Sequence, residues 1–377
     1  MFGDSYRLFK LLGFEVKINP SWLIIAALIV WSLASGTFPH YFENLSASTY
    51  WWMGVAGAIG LFLSIILHEL SHSLVARKFG MPIKGITLFI FGGVAEMNEE
   101  PPSAKSEFWM AIAGPSASIV LGLLFLGFNN LTNQELFPQA VHGVISYLAF
   151  INLLLAGFNL IPAFPLDGGR VLRSGLWAWK KNIRWATHIS SKIGAAFGIF
   201  LIILGGISFF AGNFIGGIWW VLIGLFLRGA SKMSYQQLLL RKALQGEVVK
   251  DFMNENPITV SPSLPIDQLI EDYIYKFHHK MYPVVQGDKL MGCVTTQDVK
   301  DIPKEERPTH TVGDVVKNCS NNNTISPDDD VIKVFMTMKR AGKSRLMVVE
   351  NNHLVGVIAL KDLLRFLSLK IDLDEEF

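Results

Sequence analysis

The chain has 377 residues, 51% of them apolar and only 17% charged, with a formal net charge of +2. Soluble domains carry about 25% charged residues, so an all-soluble protein is excluded, and a balance this near neutral gives no basis for nucleic-acid binding. Both cysteines, Cys293 and Cys319, lie in the polar C-terminal part, which excludes a disulfide framework and a cysteine-based zinc site.

The charge deficit is concentrated in the first part of the chain. This predicts a membrane domain over 1–231, a linker over 232–245 and a soluble region from 246 onward. Met1-Phe-Gly-Asp-Ser-Tyr-Arg leads into no short apolar segment with a small-residue cleavage site, so no cleavable signal peptide is expected. Phe14-Glu-Val-Lys-Ile18 alternates apolar and charged residues, the pattern of a short strand at the membrane surface. Six apolar spans follow, at about 21–38, 51–76, 107–128, 140–160, 193–211 and 214–231. Lys and Arg are absent from Trp22 to Ala76, Ser106 to Gly169 and Ile193 to Leu227, and cluster between these stretches on alternate sides of the spans. The positive-inside rule puts both termini in the cytoplasm of a multi-pass protein of the cell membrane.

The second span carries His68-Glu69-Leu-Ser-His72. Four residues of helix give about 400° of rotation and about 6 Å of rise, so His68 and His72 share one face and can reach one metal ion. Glu69 stands beside them, where a carboxylate can take a proton from an activated water. Ionisable residues inside an apolar span are expensive and mark function. Trp51-Trp52 at one interface and Arg77-Lys78 at the other put the histidines within the membrane, nearer the cytoplasm, about 13 Å from Arg77.

Residues 81–100 are rich in β-formers and contain Gly92-Gly93. Two short strands are expected there, dipping toward the membrane, with an edge that can pair an extended peptide or remain a plain surface hairpin. A catalytic zinc takes about three protein ligands plus water. Glu43, Glu107 and Glu135 fall at interfaces or outer loops and His142 at the far side, which leaves Asp167 as the third ligand. It follows Pro162 and Pro165, which break the fourth span before its cytoplasmic end. The alternative for Asp167 is a cap on the helix that starts near Arg170. Asn159 can donate to a developing oxyanion or make an interhelical hydrogen bond; for Asn152 the structural role is preferred.

His68-Glu-x-x-His72 in the second of six helices, with Asn159-Leu-x-Pro162-x-x-Pro165-Leu-Asp167-Gly168 after the fourth, resembles the site-2 protease family of intramembrane zinc metalloproteases. Ala113-Gly114-Pro115 and the Gly92-Gly93 segment are also similar. The resemblance covers about 1–231. It implies one zinc ion per chain on His68, His72 and Asp167, Glu69 as the catalytic glutamate, Asn159 assisting at the scissile carbonyl, and cleavage of transmembrane helices of other proteins. Many members carry a PDZ domain; no stretch between the spans is long enough for one.

Residues 246–370 contain a repeat. Pro257-Ile-Thr-Val-Ser261-Pro262 corresponds to Asn323-Thr-Ile-Ser326-Pro327, and each is followed by an amphipathic helix, two short strands and a closing helix after Asp298 or Asp362. Two copies imply a pseudo-twofold pair rather than a solenoid. This β-α-β-β-α duplication resembles a tandem of CBS domains, at 246–302 and 311–370, with an acidic, solvated tail at 371–377. In that family Gly-x-x-Thr/Ser-x-x-Asp holds a ribose. The first copy matches at Gly292, Thr295 and Asp298, whereas the second has Ala359 in place of the hydroxyl. The resemblance implies an adenine nucleotide at Thr295 and Asp298, or a homodimerisation or docking module.

The expected architecture is therefore a mostly α integral membrane protein: six transmembrane helices with a small membrane-associated β segment, followed by a soluble α/β tandem CBS pair. Its partners would be the lipid bilayer and a transmembrane protein substrate. The alternative is a CBS-gated ion transporter or channel whose intramembrane His, Glu and Asp residues line an ion path.

Overall fold

The computed structural model describes residues 5–373 apart from 82, 90, 91, 98, 99, 132–136, 288, 321, 322 and 352. Glu135 and the last residues of the acidic tail, 374–377, lie outside the described residues. The chain divides between Gln236 and Gln237 into two compact units.

In the first unit, six described helices are long and apolar enough to cross a membrane. The first is built from α1 (Ser21–Ser32), a π-helical turn (Leu33–Thr37) and α2 (Phe38–Tyr41). The wide turn precedes Pro39, which has no N–H to offer the carbonyl four residues back. The others are α3 (Ala47–Lys78), α4 (Ala104–Leu131), α5 (Gln139–Asn159), α7 (Ile183–Phe210) and α8 (Phe214–Leu244). Between α5 and α7 lies the amphipathic α6 (Asp167–Lys180). Helix α7 starts ten residues before the expected 193, because Arg184, His188 and Lys192 occupy helical turns beyond the apolar stretch. Helix α8 runs through most of the expected linker: 232–244 contains neither Gly nor Pro, and the helix stops just before Gly246, whose φ is +85°.

One mixed sheet packs on these helices, in the order β1 (Tyr6–Leu11), β2 (Phe14–Ile18), β3 (Ile83–Phe89), β4 (Gly92–Met97). Strands β2 and β3 are parallel, and the crossover joining them is the first two spans. The other pairs are antiparallel hairpins. Phe14, Val16, Ile86 and Leu88 of the sheet form one core with Ile66 and Leu70 of α3. The β-rich pattern of 81–100 thus becomes a hairpin laid on the helix that carries the histidines, with β4 at its edge. The N-terminal strand of the sheet, β1, was not foreseen, because Tyr6–Leu11 is exposed along nearly its whole length and shows no buried face.

The second unit shows the duplication as packing. In its first half a helical run comprises α9 (Ile266–Gln268), a π segment (Leu269–Ile274) and α10 (Tyr275–Phe277). It leads to the hairpin β5 (Met281–Gln286) and β6 (Lys289–Thr295), then α11 (Thr296–Lys300). Next come α12 (Val312–Val315), β7 (Lys317–Asn318) and β8 (Thr324–Ile325). The second half has α13 (Val331–Ala341), the hairpin β9 (Arg345–Glu350) and β10 (His353–Ala359), and α14 (Leu360–Leu373). Val260 bridges Val284 in parallel, as Ile325 of β8 pairs with Val348 of β9. The cores cross over the sequence boundaries. Ala243, Leu244 and Val249 pack with the second hairpin and α13, while Val312 packs with the first copy. Boundaries drawn at 246 and 311 follow the repeat in sequence, but each copy borrows the segment that precedes the other.

Candidate active site

Helix α3 starts at Ser46, whose hydroxyl accepts from the Thr49 N–H at 3.2 Å, a standard N-cap. Its i, i+4 stripe Ser64, His68, His72 and Ala76 is buried, with His68 at 3% exposure and His72 at 9%. The two rings lie edge to face, with centroids 4.9 Å apart. Their Nε2 atoms are 3.2 Å apart, and both point at one carboxylate oxygen: Asp167 Oδ2 is 3.0 Å from His68 Nε2 and 3.1 Å from His72 Nε2. The three residues form the described cluster suited to a metal ion.

The chain brings Asp167 there by breaking α5. That helix ends at Asn159, and Asp167 becomes the first residue of α6. Its side chain makes no cap on its own helix; it reaches α3 instead. The return is tight. A Cβ on Gly168 would stand 2.3 Å from the Leu160 carbonyl oxygen, and one on Gly169 would stand 2.2 Å from the Phe164 N. Ser231 of α8 donates to the Phe164 carbonyl and fixes the middle of the turn.

The outer faces of both imidazoles are held by α4. His72 Nδ1 donates to the Met110 carbonyl at 2.6 Å, which assigns its proton and turns the Nε2 lone pair inward. His68 Nδ1 lies 2.8 Å from Ser118 Oγ. Between these two contacts, Gly114 faces the histidines directly: a Cβ there would stand 2.2 Å from His72 Nε2 and 2.6 Å from His68 Nε2. Met110, Gly114 and Ser118 repeat at four-residue steps, one face of the helix. Neither Met110 nor Ser118 is a ligand type, and only the spacing of small and polar residues in an otherwise apolar span could have pointed to that face.

Glu69 is half-buried, and β4 backs onto it: a Cβ on Gly93 would lie 2.8 Å from Glu69 Cγ. Gly92 opens the same strand and pairs with Phe89. Asn159, the last residue of α5, donates to the Leu155 carbonyl at 3.0 Å and, among the described residues, makes no hydrogen bond to the cluster. Asn152 is fully buried and donates to Ser64 Oγ and the Leu148 carbonyl, an interhelical role as expected. His142 lies 2.9 Å from Asn129 Oδ1 at the other end of the bundle, away from Asp167 in the chain and in its bonding. Glu107, read from sequence as an interface residue, is wholly buried and paired with Arg173 of α6.

In the second unit, Thr295 and Asp298 are already engaged with each other. They form the capping box of α11, with the Thr295 N–H donating to Asp298 Oδ2 at 2.8 Å and its hydroxyl at 2.6 Å. The Lys317 ammonium closes on the other oxygen. Burial pushes the Asp298 carboxyl up, but Lys317 and the Thr295 donors outweigh it and hold the group below the usual carboxylate range. A cleft of about 360 Å³ lies beside the second copy's acid, Asp362, with His279, Arg345 and Lys361 on its wall and Ile258, Met281 and Pro283 as apolar lining. Burial, then the charges of Arg345 and Lys361, push the His279 imidazole below its ordinary value.

The Peptidase family M50 profile matches residues 56–134 and 129–205, and the CBS domain profile matches 249–305 and 312–369. The chain is 31% identical to the zinc metalloprotease MJ0392 of Methanocaldococcus jannaschii, over 99% of this chain and 98% of that one. It is 32% identical to Rip3 of Mycobacterium tuberculosis, over 97% and 93%. A solved site-2 protease from Methanocaldococcus jannaschii aligns with 61% of this chain and 94% of that one, at 31% identity and a TM-score of 0.44.

Proposed function

Because the chain belongs to peptidase family M50, the zinc metalloproteases of site-2 protease type, here with tandem CBS domains, we propose that it hydrolyses peptide bonds in or near transmembrane helices with His68, His72 and Asp167 as zinc ligands and Glu69 as general base. It is a membrane-embedded hydrolase, and family membership sets the transporter alternative aside.

One observation carries the ligand assignment: three donor atoms from two distant segments converge with separations of 3.0, 3.1 and 3.2 Å. Ligands at about 2.0–2.1 Å from a tetrahedral zinc stand roughly 3.3 Å apart, so the set fits the ion with little movement. The donor chemistry fits too, because two neutral imidazoles and one carboxylate with anchored outer shells make a catalytic-type site that leaves a position open. Zinc bound there would polarise the scissile carbonyl and acidify a water.

The protein's own groups supply the rest. Glu69 takes a proton from the attacking water as its oxygen bonds to the scissile carbon, then delivers that proton to the amine as the C–N bond breaks. The Asn159 amide has two N–H donors, of which Leu155 uses one, and the second is available for the oxyanion. The edge strand β4 would receive the substrate in extended form, and glycine at 93 keeps the backbone close to Glu69. Basic residues on alternate sides of the spans support a cytoplasmic position for both termini and the CBS pair. The domain limits we propose are 1–231 for the membrane protease domain and 246–302 and 311–370 for the two CBS copies, with α8 running on through 232–244 of the linker.

For regulation we propose one adenine nucleotide per CBS pair. The cleft beside Asp362 favours that position over Thr295 and Asp298, expected from sequence, because Lys317 engages Asp298. Asp362 would accept from ribose hydroxyls, with Arg345 and Lys361 facing phosphate.

The decisive experiment measures zinc content and cleavage of a transmembrane reporter in wild type and Glu69→Gln. The expected result is one zinc in both proteins and a loss of at least about 10²–10⁴-fold in cleavage rate for the variant. Cleavage at the wild-type rate would overturn the mechanism.

A further inference from the structure

Arg173 is buried, yet it carries a full charge that the chemistry above does not use. It lies on α6, six residues after Asp167. Its Nε donates to Glu107 Oε1 at 2.6 Å and its Nη2 grips the same oxygen. The Glu107 side chain has no exposure and that of Arg173 only 5%. A second contact runs from Nη2 to Glu100 Oε2 at 3.3 Å, just beyond β4, and a long one runs from Nη1 to Thr187 Oγ1 of α7 at 3.5 Å. The guanidinium carbon also stands 5.2 Å from the centre of the Phe164 ring, in the turn that delivers Asp167.

The position of Glu107 gives this pair its meaning. Glu107 sits in the first turn of α4, one turn before Met110, which holds His72, and on the helix that carries Gly114 and Ser118. One end of the ion pair is therefore rigidly joined to the groups that aim both histidines, and the other to the helix and turn that aim Asp167. A buried pair of this kind is no gain in stability over apolar residues of like size, since desolvation offsets the attraction. Two donors converging on one carboxylate oxygen, with Nη2 shared with Glu100, do fix the direction of the guanidinium.

We propose that Arg173 is a positioning residue for the metal centre: paired with Glu107 and laid on Phe164, it sets the register of α6 against α4 and so holds Asp167 at its distance from His68 and His72. This rests on the reading that those three residues bind zinc.

The test is zinc affinity of the full-length protein in detergent, by chelator competition, beside the melting temperature of the zinc-free form. The proteins are wild type, Asp167→Ala, Arg173→Met, Arg173→Lys and the double variant Glu107→Leu/Arg173→Met. Loss of an outer-shell partner costs about 10–100-fold in metal affinity. Arg173→Met should show that loss, and Arg173→Lys should share it in part, because an ammonium keeps the charge without the fixed planar set of donors. The double variant leaves no unpaired buried charge, so its melting temperature should recover while its zinc affinity stays low. If the double variant regains both together, or Arg173→Met binds zinc as wild type does, Arg173 is merely structural and the proposal fails. A wild type without zinc, or Asp167→Ala with undiminished affinity, would overturn the ligand reading and the proposal with it.

Discussion

Asp167 and Asp298 both stand in the first turn of a helix, one in each unit, and they spend their carboxylates in opposite ways. Asp298 is satisfied locally: by the Thr295 N–H and hydroxyl of its own capping box and by Lys317 on the neighbouring strand β7. Asp167 caps nothing on α6 and reaches across to histidines 95 and 99 residues back in the chain. An acid bonded within three residues stabilises a turn and is chemically occupied. An acid left without a local partner at a broken helix end is available to assemble a site. In the second unit the poorer nucleotide motif in sequence, at Asp362, borders a cleft, while the better one, at Thr295 and Asp298, has its carboxylate engaged by Lys317 and its own capping box.

The contrast is broken most severely at Asp167. Asp167→Ala should abolish zinc binding and reporter cleavage together, whereas Asp298→Asn should leave both at wild-type level; metal analysis and the cleavage assay check this. Gly114→Ala should come next, because its methyl would enter the space of His72 Nε2. Zinc affinity should fall by an order of magnitude or more, although alanine is otherwise the better helix residue. Gly93→Ala, against the flexible Glu69 side chain, should lower the cleavage rate and leave zinc content unchanged.

A gentler test addresses the two acids of the CBS pair. Asp362→Asn should weaken binding of a fluorescent adenine nucleotide by roughly tenfold, and Asp298→Asn should not. Asp298→Asn should instead cost about 1 kcal/mol of stability, because a neutral amide oxygen replaces the charged acceptor of Thr295 and Lys317, read from the second unit's thermal transition. The smallest effect is in pH. The Asp298 carboxyl is depressed by Lys317 and Thr295 against the opposing effect of burial, so its contribution is fully present above the ordinary aspartate value of about 4. It fades as pH falls through the lower value of the folded state. The transition temperature should therefore drop on acidification below about pH 4, and less steeply in Asp298→Asn.

Much of this protein was legible along the chain. Apolar runs marked the six helices, since a span must be continuous in sequence. His68-Glu69-x-x-His72 declared itself because helical pitch places i and i+4 together. The repeat at 261 and 326 announced two copies of one unit. Helix ends were less legible: α7 and α8 extend through polar turns that hydropathy does not count. Gly114 lay in a segment that the family resemblance marked, but the Met110 and Ser118 contacts beside it were hidden because they act by a backbone carbonyl and a common hydroxyl, neither of which advertises a site.

By itself, then, the sequence determined what depends on short-range periodicity: the spans, the two-histidine face, the broken helix before Asp167 and the duplication. Tertiary structure alone decided which carboxylate oxygen meets both Nε2 atoms, that Gly93 lies against Glu69, that Arg173 ties α6 to α4, and that Lys317 closes Asp298 while Asp362 borders an open cleft. Each of these is a contact between segments far apart in the chain, and such distances are set by packing rather than by the pitch of any one element.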